Sequence, residues 1–170
     1  ENKNKVPVIS AKSALVYDLT SEKVLFSKSP ERKLPMASLT KIMTAIVALE
    51  SQKKDDKYLV SKEDIVGENS MGLSEGETLT LRELLYGLIL TSGNDAAETL
   101  ASNFPNGRTQ FIIAMNNKAK ALGLKNTHFT NPTGLEGDGT QYTTTYDLLV
   151  ITNYVLQFPI FKEVARTFVQ

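Results

Sequence analysis

Residues 34–50 read LPMASLTKIMTAIVALE. Wound as a helix, the stretch places Leu39, Ile42, Met43, Ala45, Ile46, Val47, Ala48 and Leu49 on nearly every side, and a helix apolar all round is a buried helix. Pro35 marks its start, where a missing backbone N–H costs little. Two residues break the pattern, Ser38 and Lys41. At about 100° per residue, Lys41 lies roughly 60° from Ser38 around the axis. Ile42, Ala45 and Leu49 lie near the Ser38 direction, so both polar side chains are predicted to face the core. Lysine is almost never buried unless it is paired or used. Burial disfavours its charged form and lowers its pKa, turning an ammonium into an amine that accepts a proton. A serine one turn away, near a helix N-terminus that favours developing negative charge, is then a candidate activated nucleophile. Ser-x-x-Lys fixes only two positions and occurs by chance in many proteins, and most lysines near a helix start reach solvent. The apolar surroundings favour the catalytic reading, because perturbed groups cluster at functional sites.

The totals bound the possibilities. A chain of 170 residues suits one domain, or one domain with a subdomain. Hydrophobic residues at 41% and charged residues at 22% are ordinary for a globular chain with a core. Lys+Arg and Asp+Glu are each 19, giving no net charge, which argues against a nucleic-acid partner. With no cysteine there is no disulfide, thiolate metal site or cysteine nucleophile. A lone histidine, His128, excludes a histidine-rich metal site and leaves Lys41 as the base for any serine chemistry. No run of about 18 apolar residues exists to span a bilayer. The polar start, ENKNK, does not read as a signal peptide but as the beginning of a mature or trimmed chain.

Along the chain, SALVYDL (13–19) and KVLFS (23–27) read as strands joined by a turn at Thr20, Ser21 and Glu22. The leader before them adds an edge strand or stays loose, and KKDDK (53–57) is a solvated charged loop. Residues 60–80 are turn-rich, punctuated by Gly67, Gly72 and Gly76, and predict an irregular or small β segment. LTLRELLYGLIL (79–90) predicts a second apolar helix, with Thr78 or Thr80 as its cap and Glu83 completing a capping box with Thr80. It ends at Thr91-Ser92-Gly93-Asn94. Helices are predicted over 95–104, with acid in the first turn, and over 108–122, 144–156 and 159–167. Residues 127–143 form a long loop, and loops of that length in compact domains are often functional. His128 reads as a loop or packing residue, Tyr142 and Tyr146 as core or rim, and Asp138 and Gly139 as turn chemistry. Strands in front and helices behind predict an α+β fold.

Ser92-Gly93-Asn94 alone is an ordinary helix–helix turn. It gains weight from the Ser-x-x-Lys helix before it. A second hydroxyl beside an amine base can relay a proton, and an asparagine amide can bind a substrate amide and hold the lysine. With PMASLTKIMTA, TLRELLYGLILTSGNDAAETLA, MNNKAKALGLKNTHFTNPTGL and TTTYDLLVI, the chain resembles the serine D-alanyl-D-alanine carboxypeptidases, the low-molecular-weight penicillin-binding proteins, from about Ser13 onward. The resemblance implies a β-lactamase/transpeptidase-like α+β domain. Its sheet and nucleophile helix would occupy about 1–60 and a mostly helical subdomain about 61–170. It implies Ser38 as nucleophile on the carbonyl between two terminal D-alanines of a peptidoglycan stem peptide, and Lys41 as base. Ser92 would pass a proton to the leaving D-alanine, and Asn94 with Gly93 would bind the peptide. β-lactams would acylate Ser38. No metal or cofactor would be needed, and the protein would work in the cell envelope.

The family carries a third motif, Lys-Thr-Gly, on a strand walling the site, and neither Lys-Thr-Gly nor Lys-Ser-Gly occurs here. The expectation is therefore a chain that is one piece of a longer or nicked protein, or one completed by strands from a second copy. Apolar sheet surface would be left open and activity would be weak or absent in isolation. A class A β-lactamase would show Ser-Asp-Asn and a Glu-x-x-Leu-Asn loop, and Glu136 in TGLEGDG lacks that context. A D,D-endopeptidase shares all the motifs. A non-catalytic envelope-binding module would have no need of a buried lysine.

Overall fold

A computed structural model describes residues 7–51, 53, 55–135 and 140–167. The expectations for the leader and for Glu136, Asp138 and Gly139 lie outside these residues in whole or in part. Two strands, β1 (Ala14–Asp18) and β2 (Lys23–Lys28), pair antiparallel. Asp18 closes their turn by accepting from Thr20 N (3.0 Å) and Ser21 Oγ (2.6 Å). The register shifts between Val16 and Tyr17, a bulge the alternation of the sequence did not reveal. Val16, Val24 and Leu25 are exposed, as expected for a sheet of only two strands.

The central helix starts later than predicted. Leu34 is bridged to Thr143 through both of its backbone groups (2.9 and 3.0 Å), so the chain there is extended. Ala37 takes a left-handed φ of 46°, and Ala37–Leu39 form a short 3-10 turn. The helix proper, α1, is Thr40–Glu50, with Met43, Ala45, Ile46, Val47 and Ala48 buried as predicted. Ser38 therefore precedes α1 and is exposed, whereas 100° spacing turned it toward the core. The reversal at Ala37 and the tighter pitch of the 3-10 turn account for the difference. Lys41, in the first turn of α1, is 2% exposed.

Residues 58–79 hold a small antiparallel pair, β3 (Tyr58–Leu59) with β4 (Thr78–Leu79). Thr80 caps α2 (Leu81–Leu90) in the expected box: Glu83 N donates to Thr80 Oγ1 and Thr80 N to Glu83 Oε2. Then come α3 (Asn94–Ser102), α4 (Gly107–Ala121), α5 (Thr145–Val155, capped by Thr144) and α6 (Pro159–Ala165). The apolar faces of α2, α3, α4 and α5 all meet α1. Leu84, Leu88, Leu100, Phe111, Met115 and Ile151 join Met43 and Ile46 in one core. A charged lysine at the head of that core needs a local explanation. His128 is an exposed loop residue bridged to Tyr142, and Tyr146 is exposed at the rim.

Candidate active site

Lys41 Nζ has three oxygens around it. It donates to Asn94 Oδ1 (2.7 Å), to the Thr133 carbonyl (2.7 Å) and to Ser38 Oγ (3.3 Å). Among the described residues no carboxylate pairs with it. Desolvation without a counter-charge pushes its pKa down from 10.5 to about 8. Two of the three oxygens, an amide oxygen and a backbone carbonyl, can only accept. A neutral amine has two N–H groups and one lone pair. With both N–H groups held by the two pure acceptors, the lone pair is left for the third neighbour, the Ser38 hydroxyl. That lone pair is chemically able to accept a proton from Ser38 Oγ, 3.3 Å away.

Three segments build this pocket. The first is the turn ahead of α1, which presents Ser38 outward. Thr40 Oγ1 donates back to the Ala37 carbonyl (2.8 Å), tying down the left-handed residue. The second is the N-P-T-G part of the long loop. Asn131 Oδ1 accepts from Thr133 N, Thr133 Oγ1 and Gly134 N, closing a tight turn. Thr44 Oγ1 donates to the Pro132 carbonyl (2.6 Å), which clamps that turn onto α1 and aims the Thr133 carbonyl at Lys41. Gln141 continues the clamp, donating to Thr40 Oγ1 while accepting from Thr130 N and Asn131 N. Gly134 has φ +88° and lies so close to the Ser38 turn that a Cβ would sit 1.9 Å from the Ala37 carbonyl oxygen.

The third segment is the α2–α3 turn. Asn94 is 1% exposed; its Oδ1 faces Lys41 and its Nδ2 donates to the Glu68 carbonyl (2.7 Å). Gly93 is buried beneath it, and a Cβ there would meet Asp95 Oδ1 at 2.9 Å. Ser92, half-buried with a left-handed φ of 56°, lies in the same turn. Its hydroxyl makes no hydrogen bond to Lys41 or Ser38. Next to Asn94, the buried Asp95 accepts from Ser70 Oγ (2.5 Å) and from the backbone N–H groups of Met71, Gly72 and Leu73. Burial pushes the Asp95 carboxyl up, but hydrogen bonds from Ser70, Met71, Leu73 and Ala96 outweigh it and hold the group below its ordinary value.

Of the residues selected from sequence, the structure brings Ser38, Lys41 and Asn94 together and places Ser92 and Gly93 in the adjoining turn. It adds the Thr133 carbonyl, Gly134 and Asp95. The length of the 127–143 loop pointed to the first two without naming them, and Asp95 had been read only as a first-turn acid. Among the described residues no cluster of His, Asp or Glu could hold a metal ion. Nor is any single helix there long and apolar enough to cross a membrane.

Comparison with known proteins bears on this constellation. The family model described as D-alanyl-D-alanine carboxypeptidase matches residues 1–167. The D-alanyl-D-alanine carboxypeptidase DacF of Bacillus subtilis is 38% identical over 154 residues, covering 87% of this chain and 39% of that protein. A D-alanyl-D-alanine endopeptidase of Pseudomonas aeruginosa is 36% identical, covering 94% of this chain and 52% of its own. Among solved structures, a penicillin-binding protein homologue of Mycobacterium tuberculosis superposes with a TM-score of 0.86 at 36% identity, over 95% of this chain and 63% of that one. A variant of the Streptomyces K15 DD-transpeptidase superposes with a TM-score of 0.88 at 34% identity, over 95% and 67%. The fold is thus the α+β fold of penicillin-binding transpeptidases. The chain spans about half or less of the length of these two curated relatives.

Proposed function

The chain belongs to the D-alanyl-D-alanine carboxypeptidase family, and from that premise we propose that Ser38 is the nucleophile of a serine peptidase acting on D-alanyl-D-alanine ends of peptidoglycan stem peptides. The observation that carries this reading is the Lys41 Nζ within 3.3 Å of Ser38 Oγ, with no carboxylate beside it. A lysine with a pKa of about 8 is neutral in roughly a tenth of molecules at pH 7, against about one in several thousand for an unperturbed lysine. That amine takes the Ser38 proton as Oγ bonds to the carbonyl carbon between the two D-alanines. Collapse of the tetrahedral adduct breaks the C–N bond. The terminal D-alanine leaves with a proton delivered through Ser92, which lies in the turn beside Asn94. Asn94 steadies the lysine through Oδ1, and Gly93 lets the turn that carries it pack against Asp95. Water, deprotonated by the same lysine, then releases the acyl group from Ser38. The strained amide of a β-lactam acylates Ser38 by the same first step and leaves slowly. Such substrates place the protein in the cell envelope.

The test is a peptide ending in D-Ala-D-Ala offered to wild type, Ser38→Ala and Lys41→Ala. Free D-alanine from the wild type alone supports the proposal. Release from Ser38→Ala overturns it. The endopeptidase reading, favoured by the Pseudomonas relative's name, is separated by a cross-linked muropeptide dimer, which only an endopeptidase splits.

A further inference from the structure

We propose that Asp95 is a positioning residue that locks the Asn94 amide in the one orientation compatible with Lys41 acting as a base; this rests on the proposed roles of Ser38 and Lys41. The lock has two halves. The carbonyls of Glu68 and Asn69 hold Asn94, accepting from its Nδ2 and from its backbone N–H (both 2.7 Å). The Asp95 carboxylate holds the other end of the same loop through Ser70 Oγ and the amides of Met71, Gly72 and Leu73. Consecutive residues of α3 thus grip one loop from both sides.

The loop cannot hold this shape by itself. Glu68 (φ 56°) and Asn69 (φ 48°) are both left-handed without being glycine, a costly backbone for the glutamate and a milder one for the asparagine. The carboxylate opposes that strain by gathering successive N–H groups on one anion. The consequence reaches the base. A carbonyl only accepts, so Glu68 fixes Nδ2 on its own side and turns Oδ1 toward Lys41. Released from Glu68, the amide could rotate and donate Nδ2–H to the lone pair of the neutral lysine. That lone pair would then be occupied when Ser38 needs it. Charge matters more than shape here. Asp95 Oδ1 accepts from the N–H groups of Met71 and Ala96, and Oδ2 from those of Gly72 and Leu73. An asparagine at 95 would therefore face an NH₂ against N–H donors in either orientation.

The test has two readouts on wild type, Asp95→Asn and Ser70→Ala: the side-chain NH₂ signals of Asn94 by ¹⁵N NMR, and the rate of acylation by benzylpenicillin per folded molecule. For the wild type the expected result is an Nδ2 proton, bonded to the Glu68 carbonyl, that is shifted and slow to exchange. The expected result for Asp95→Asn is an Asn94 pair that moves to free-amide values, with acylation slowed roughly 10- to 100-fold. Ser70→Ala, which keeps the three loop amides on Asp95, moves both readouts the same way by less, and it decides alone if Asp95→Asn does not fold. Loss of stability with the Asn94 pair unmoved in the folded fraction overturns the proposal, as does a moved pair with wild-type acylation. A wild type that benzylpenicillin does not acylate counts against the proposed function instead, and the NMR arm still reports on the lock.

Discussion

Replacing Lys41 with methionine makes the buried base visible as a stability difference that depends on pH. The folded-state pKa of Lys41 lies near 8, below its ordinary 10.5, because burial penalises the ammonium. Below about pH 8 both folded and unfolded chains carry the proton, and the penalty is present in full. Between about pH 8 and 10.5 the folded protein has released the proton and the unfolded chain retains it, so stability rises with pH. At about 1.36 kcal/mol per pH unit, the full gain is about 3 kcal/mol. Lys41→Met lacks this gain. At neutral pH the variant is also relieved of the penalty but leaves Asn94 Oδ1 and the Thr133 carbonyl without a donor, each costing about 1–3 kcal/mol. The two effects offset, so a single-pH comparison decides little. The pH dependence of the difference decides, because the orphaned acceptors of the variant do not titrate and add only a constant offset, while the tyrosines are common to both proteins. The assay is urea unfolding followed by far-UV circular dichroism, since the chain has no tryptophan. Wild-type stability relative to Lys41→Met should climb by about 3 kcal/mol from near pH 7 to near pH 11. Parallel curves would refute a neutralised lysine, and a falling difference would mean that Lys41 has a raised pKa.

Other substitutions probe separate parts of the account. Gly134→Ala puts a Cβ 1.9 Å from the Ala37 carbonyl oxygen at a left-handed φ; it should lower stability by about 1–3 kcal/mol in urea unfolding and slow acylation of Ser38. Asn94→Asp sets a carboxylate against Lys41 and raises its pKa, so the acylation rate should fall at neutral pH and its alkaline rise should move upward in a rate–pH profile. Phe111→Ala, fully buried and edge-on to Phe104 away from Lys41, should cost about 3–5 kcal/mol by thermal or urea unfolding, while acylation per folded molecule stays at the wild-type rate.

The scaffold was largely legible because its signals are local. The capping box of Thr80 and Glu83, the apolar continuity of residues 42–49 and the turn at Thr20, Ser21 and Glu22 each act within a few residues. Lys41 was legible because a charge in an apolar run needs a reason. What escaped depends on contacts distant in the chain. The Leu34–Thr143 bridge prevents the helix from starting at Pro35, and Ala37 turns left-handed under the 131–135 turn, so Ser38 emerges into solvent. The Thr133 carbonyl carries no side-chain signature. Asp95 looked like an ordinary first-turn acid, and only the folding of residues 68–73 against α3 gives it three loop amides to hold.

The most direct test is the intact mass of the protein after prolonged incubation with excess benzylpenicillin, compared with Ser38→Ala. One penicillin added to the wild type and none to Ser38→Ala is the predicted result. No adduct on the wild type, or an adduct that persists in Ser38→Ala, would contradict the assignment of Ser38 as the nucleophile that Lys41 serves.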